Sequence, residues 1–436
     1  MSRLQHRRNA VLGERYGHLG VAFQSAKRHE YKTAADNLTE RGFTGPGREA
    51  TQRVADSVTD QISAAIAERR GKSAEDARAL LERGPFLPEE ALAEGLIDAI
   101  GYRDEVYADV RKEAGKDATL LFVIRYQRAR MLAQRARHLP NPREPFVAVI
   151  YATGPIKGGR STRSPLGGSA IGSDTVAAAL RTARSDDRVR AVLLRVNSPG
   201  GSATASDTIW REVVRIRNAG KPVVVSMSDV AASGGYAISM AADVIVAQPG
   251  TITGSIGVIS AKPVLGQALD RAGVSTDSVT EGAHADMFTT SRPYSDEEWE
   301  KINGWLDRIY ADFTGKVADG RGLGQDQVHE IARGRVWTGA DAAGIGLVDE
   351  LGGLDTALAV ARQKASLPQS AAVRLFPRSR PLDRLRPPDS SEARPAAAAG
   401  LGELFAETWG PVSRLAAAAG LSPQGPLMLP GRWLIQ

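Results

Sequence analysis

Three short apolar runs constrain the fold of this chain more than anything else: Phe146 to Tyr151, Val189 to Val196 and Pro222 to Ser226. Each has the length and composition of a buried-type strand. Between them lie two stretches with helical texture, Ser173 to Ala183 and Ala205 to Ala219. Strand, helix, strand, helix in this order requires a parallel sheet with right-handed crossovers. Ligand sites in such sheets form in the turns at the carboxyl ends of the strands.

Two of those turns carry chemistry. The first is Asn197-Ser198-Pro199-Gly200-Gly201-Ser202, which can aim a backbone N–H outward. The second is Ser228-Asp229-Val230-Ala231-Ala232-Ser233-Gly234-Gly235-Tyr236, where a strand gives way to a helix at Ser233. A helix start offers unpaired N–H groups and the positive end of the dipole. Paired N–H groups around one hydroxyl suit a nucleophile whose reaction builds charge on a carbonyl oxygen. The same residues also suit a tight turn filled with small side chains, and the stretch alone leaves both readings open. A serine needs a base. His284 lies after the sheet with nothing nearby in sequence to orient it. A lysine serves if burial lowers its pKa toward neutrality.

Composition removes several alternatives. The 436 residues contain no cysteine, so disulfides, Cys nucleophiles and thiolate metal sites are excluded, and the 6 histidines have no metal spacing. No cofactor or metal is expected. The net charge of +6 comes from scattered arginines, without the basic stripe and interleaved aromatics of a nucleic-acid module. An anionic membrane surface stays open as a partner. No run approaches the ~18 apolar residues of a transmembrane helix, and the polar, Arg-rich start is no secretory signal.

Outside the sheet, residues 48–70, Ser73 to Arg83, Pro88 to Glu94 and Ser295 to Asp319 have helical spacing, and Gly20 to Gln24 and Thr119 to Ile124 read as strands. Residues 127–143 are basic and end in prolines, which suggests a linker. An internal repeat runs through these segments at an offset of ~250 residues. Arg83-Gly84 matches Arg333-Gly334, and Gly95-Leu96-Ile97-Asp98 matches Gly346-Leu347-Val348-Asp349. Near that offset, Glu30 to Ala34 lies over Ala283 to Met287. The second copy has a sheet in front of it and the first has none. The expected organisation is a partial N-terminal repeat over 1–116, a linker over 117–144, a complete domain over 145–376, and a Pro/Ala/Arg-rich, largely disordered tail over 377–436, with Leu427 to Ile435 docking on the fold.

Arg195 to Gly201, Ala231 to Tyr236 and Thr251 to Gly257 resemble signal peptide peptidase A, or protease IV, a Ser/Lys-dyad protease family of the ClpP/crotonase superfamily. The resemblance spans about Gly20 to Leu367. It implies an α/β fold, a ClpP/crotonase-like spiral domain preceded by a partial second copy. It makes Ser233 the nucleophile, Gly234 and a glycine of the Gly200-Gly201 turn the oxyanion donors, and Ser255 the residue that holds the lysine. In the family's short form the lysine sits in the same domain, but the matching segment here reads Gly282-Ala283-His284-Ala285-Asp286-Met287, with Ala285 in its place. In the long form it lies in a Tyr-Lys-Ser-Ala-like segment, here Tyr31-Lys32-Thr33-Ala34. The repeat and the resemblance therefore both select Lys32 over its rivals, Lys157 and Lys262.

The resemblance further implies peptide substrates such as cleaved signal peptides, a homo-oligomer (a tetramer in the long form) and a membrane-associated location. The chain departs from the long form in lacking the first half of the N-terminal domain. Two other readings follow from that: an inactive scaffold of the same family, and a crotonase-like acyl-CoA enzyme with no use for Ser233.

Overall fold

The computed structural model describes residues 17–115, 118–137, 143–163, 168–275, 277–376 and 427–428. These residues form two compact units: one holds those from 59 to 144, the other those up to 58 and from 145 onward. Both Lys32 and Ser233 belong to the second unit.

That unit contains β1 (Ala22–Lys27), β2 (Phe146–Thr153), β3 (Val189–Ser198), β4 (Gly200–Gly201), β5 (Val223–Ala232), β6 (Val244–Ala247), β7 (Ile252–Gly254), β8 (Ile259–Val264), β9 (Val336–Thr338) and β10 (Ala372–Phe376). The main sheet has eight strands and runs β9-β7-β5-β3-β2-β10, with β6 and then Glu350–Leu351 joined at the side of β5. Every neighbour pair is parallel except β7 with β9. The three apolar runs are β2, β3 and β5, and the crossovers between them are the helices Ser173–Ser185 and Ala203–Asn218.

Burial on both faces explains why these strands read as continuous apolar runs rather than alternations. One face packs Ile150, Leu194 and Val225 against Leu180, Ile209, Val213 and Ile216 of the crossover helices. The other packs Val149, Leu193 and Val224 against Ala357 and Ala361 of helix Leu354–Lys364. Each large side chain so buried contributes about 1.5–3 kcal/mol.

β5 forks, and the fork sets up the site. Its first part, Val224 to Ser226, pairs with β6, whereas its last part, Val230 to Ala232, pairs with β7. The register Ala232↔Gly254 places the residues after both strands, Ser233 and Ser255, side by side. β1 pairs antiparallel with β8 from Ala22↔Val264 to Lys27↔Ile259, which delivers the segment after Lys27 to the same end of the sheet.

The smaller unit is helical. Ser73 caps helix Ala74–Arg83 by accepting the Asp76 N–H at 3.0 Å, and Pro88–Ala93 and Arg103–Ala114 follow. The larger unit runs through the same order: Gln325–Ile331, Gly339–Gly344, Leu354–Lys364. The helices before these series, Gly45–Arg70 and Asp296–Arg321, are each 26 residues long.

One expectation fails here. Thr119 to Ile124 is not a strand: its first residues are irregular, and helix Val123–Arg137 begins within it. The segment at the corresponding place in the larger unit is β10, which is a strand because it pairs with β2. Thr119 to Ile124 pairs with no strand among the described residues, so propensity decides, and the run from Arg125 to Arg137 is rich in Arg, Ala and Gln, which favour helix.

The loop from Gly154 to Gly172 contains short strands at Ile156–Lys157, Thr162–Arg163 and Ser169–Gly172. Beyond Phe376 only Leu427–Met428 is described, paired antiparallel with β4 as Leu427↔Gly201 and Met428↔Gly200. The disorder expected for the rest of the tail falls outside the described residues.

Candidate active site

Ser233 follows β5 and holds the N-cap position of the short helix Gly234–Ala237. Its backbone sits at φ 55° and ψ −117°, a left-handed conformation that a non-glycine residue holds only under constraint. The Ser233 N–H donates to Gly254 O at 2.8 Å, and Ser233 O accepts the Ala237 N–H at 2.9 Å. The elbow is tight. A Cβ on Gly235 would lie 2.6 Å from Ser198 O, and one on Gly234 would lie 2.7 Å from Ser206 Oγ and 3.1 Å from Gly201 N. Small residues after the serine are therefore a packing requirement as well as an electronic one.

β4 runs past this elbow. Gly201, at φ 151°, passes so close to the next strand that a Cβ would meet Ile156 O at 2.1 Å. The Gly200 N–H donates to Ser198 Oγ at 3.2 Å. Both glycines border the elbow: a Cβ on Gly234 would lie 3.1 Å from Gly201 N and 3.2 Å from Gly200 Cα.

Lys32 comes from the loop after β1. That loop is drawn closed by Asp36, whose carboxylate accepts from Lys27 Nζ at 2.7 Å and from Thr44 Oγ1 at 3.0 Å. The Lys32 side chain is fully buried, as are Ser233 and Ser255. Its Nζ lies 2.8 Å from Ser233 Oγ, 2.9 Å from Ser255 O and 3.0 Å from Ser255 Oγ. Burial pushes the Lys32 amine well below the usual lysine value. In its neutral form this amine has two N–H donors and one lone pair. Two acceptors on Ser255 take the donors, which leaves the lone pair for the Ser233 hydroxyl proton. Ser255 is itself at φ 50° and is held by its N–H donating to Arg335 O at 2.7 Å.

The other lysines have different surroundings. Lys262 donates to Met287 O at 3.1 Å and rests 3.7 Å from the Tyr294 ring centroid. Lys157 lies half-buried in its short strand. Ala285 sits in a turn between Gly282 and Met287, and His284 Nδ1 is buried without a hydrogen-bond partner among the described residues. Among the described residues there is no group of acidic residues and histidines able to hold a metal, and no helix long and apolar enough to cross a membrane.

Sequence reasoning missed what lies behind Lys32. A Cβ on Gly334 would lie 2.6 Å from both Lys32 N and Lys32 Cβ, so the two backbones are in contact there. Arg333-Gly334 stood out only as half of a repeat, and nothing local marked it as a support for the lysine.

The mostly parallel sheet thus carries a strained serine elbow with a buried lysine beside it, and the sequence comparisons place the chain in a family. The model of Peptidase family S49 matches residues 8–117 and 215–368, and the chain belongs to that family. It is 35% identical over 377 residues to a chloroplastic serine protease SPPA of Arabidopsis thaliana, covering 85% of this chain and 55% of that one. It is 42% identical over 248 residues to Protease 4 of Haemophilus influenzae, covering 56% and 38%. The chain thus spans about half the length of these relatives, or less. Among solved structures, a membrane-bound stomatin-specific protease aligns with a TM-score of 0.33 at 17% identity, covering 54% of this chain and 99% of that one.

Proposed function

We propose that this chain is a serine endopeptidase in which Ser233 is the nucleophile and Lys32 the general base. The contact between Lys32 Nζ and Ser233 Oγ at 2.8 Å carries the reading. As Ser233 Oγ attacks a peptide carbonyl carbon, its proton passes to the neutral Lys32 amine. The oxyanion is held by the N–H of Gly234 and an N–H of the Gly200-Gly201 turn. The Lys32 ammonium returns the proton to the departing amine as the C–N bond breaks. The neutral Lys32 amine then deprotonates a water that attacks the acyl-enzyme, and the Lys32 ammonium returns that proton to Ser233 Oγ as the ester bond breaks. Ser255 orients the lysine throughout.

The proposed substrates are apolar, extended peptides such as cleaved signal peptides. Support comes from relatives named as SPPA, Protease 4 and, in Enterococcus faecium, a putative signal peptide peptidase SppA. By the same resemblance the protein is membrane-associated and a homo-oligomer, with the long-form tetramer as the state to test by light scattering. The experiment for the activity is hydrolysis of a short apolar peptide ester by the purified chain and by Ser233→Ala and Lys32→Ala. Both variants lose turnover if the dyad acts; full activity in either one rules the dyad out, and a folded wild-type chain without activity favours the scaffold reading.

A further inference from the structure

We propose that Arg335 is a positioning residue for the base, acting with Tyr31 and Glu49 as a clamp that keeps the Lys32 amine seated and dry. The inference rests on the Ser/Lys reading above and adds the residues that make it work. Arg335 precedes the edge strand β9 and touches both sides of the lysine site. Its backbone oxygen accepts the Ser255 N–H at 2.7 Å, which fixes the residue carrying two of the Nζ partners. Its guanidinium lies 4.1 Å from the centroid of the Tyr31 ring and donates to Tyr31 Oη at 2.5 Å and to the Glu49 carboxylate. Tyr31 Oη in turn donates to Glu49 Oε2 at 2.8 Å. Tyr31 is the residue immediately before Lys32.

The clamp joins three pieces of chain: the loop after β1, the first turns of helix Gly45–Arg70, and the segment entering β9. Gly334 supplies the seat, with its N–H donating to Ile256 O at 2.8 Å and its Cα pressed on the Lys32 backbone. Gly257 leaves room for the stem, since a Cβ there would lie 3.3 Å from Lys32 Cδ.

A lysine side chain has four rotatable bonds and strong affinity for water. Holding its amine against one hydroxyl depends on fixing the backbone it springs from. A displacement of about 1 Å at such a site costs on the order of a hundredfold in rate. Any displacement toward solvent also rehydrates the amine and returns its pKa toward the ordinary value. Arg is suited to the role because its planar group stacks on an aromatic ring while donating sideways to two acceptors, which an ammonium cannot do.

The test uses the full chain and reads kcat, KM and the acid limb of kcat/KM against pH for Arg335→Ala, Arg335→Lys and Tyr31→Phe, each shown folded by circular dichroism. Arg335→Ala is expected to lower kcat about ten- to a hundredfold with KM little changed, and to move the acid limb to higher pH. Arg335→Lys does not restore the limb, whereas Tyr31→Phe, which keeps the stacked ring, shows a smaller shift. A merely structural role lowers the amount of folded enzyme and leaves the limb in place. Wild-type turnover and limb with folded Arg335→Ala would overturn the clamp while leaving the dyad standing. If the wild-type chain itself neither hydrolyses ester nor reacts at Ser233 with a fluorophosphonate, the dyad reading fails, and the clamp with it.

Discussion

Lys32 Nζ stands 2.8 Å from Ser233 Oγ across a sequence separation of 201 residues. The contact is made by two pairings at one end of the larger unit. β1 on β8 delivers the lysine, and β7 on β5 places Ser233 beside Ser255. The burial that makes the lysine useful follows from the same packing, and each consequence can be measured.

Removing either member of the pair removes the reaction. Ser233→Ala and Lys32→Ala are each expected to lower kcat for ester hydrolysis about ten-thousandfold or more, because nucleophile and base act as one unit. The double variant is expected to be no worse than the worse single one.

The pH profile reports the lysine. Lys32 acts as base only when neutral, so kcat/KM rises as pH passes upward through its depressed pKa. A solvated lysine would place that rise near ~10.4. A steady-state profile is expected to show the acid limb far below that value. An acid limb at the ordinary lysine value would mean that the amine is wet during turnover.

Stability carries the opposite face of the same shift. The unfolded chain binds a proton at Lys32 up to ~10.4, and the folded chain releases it at lower pH. Between the two values the unfolded state holds more protons, so stability rises with pH, by at most ~1.4 kcal/mol per unit from this group. Urea midpoints measured across neutral to alkaline pH are expected to rise more steeply for the wild-type chain than for Lys32→Met. Equal slopes would contradict a neutral buried Lys32.

The lesser supports have graded effects. Ser255→Ala removes one of two Ser255 acceptors at Nζ and keeps the carbonyl, so kcat is expected to fall about ten- to a hundredfold. Gly201→Ala places a Cβ against Ile156 O in a backbone conformation suited to glycine. It is expected to destabilise the fold by about 1–3 kcal/mol in chemical denaturation and to displace the Gly201 N–H.

The parts legible in the sequence were those whose signals are local. β2, β3 and β5 announced themselves because strands buried on both faces are continuous apolar runs, and the Ser233 elbow because tight packing demands Gly234 and Gly235. Lys32 was reached through a repeat and a family motif, since a lone lysine has no pattern. Arg335 was invisible for a related reason: its partner Tyr31 is 304 positions away. Thr119 to Ile124 misled because a strand is a property of a pair, and its composition alone cannot supply a neighbour.

The central claim is that Ser233 is activated by Lys32, and covalent labelling tests it most directly. The wild-type chain and Lys32→Ala, both folded, are treated with a fluorophosphonate and the adduct is located by peptide mass spectrometry. The account predicts a single adduct on Ser233 in the wild-type chain, formed faster as pH rises through the acid limb, and almost none in Lys32→Ala. Equal labelling of Ser233 in both proteins, or an adduct on another serine in the wild-type chain, would contradict it.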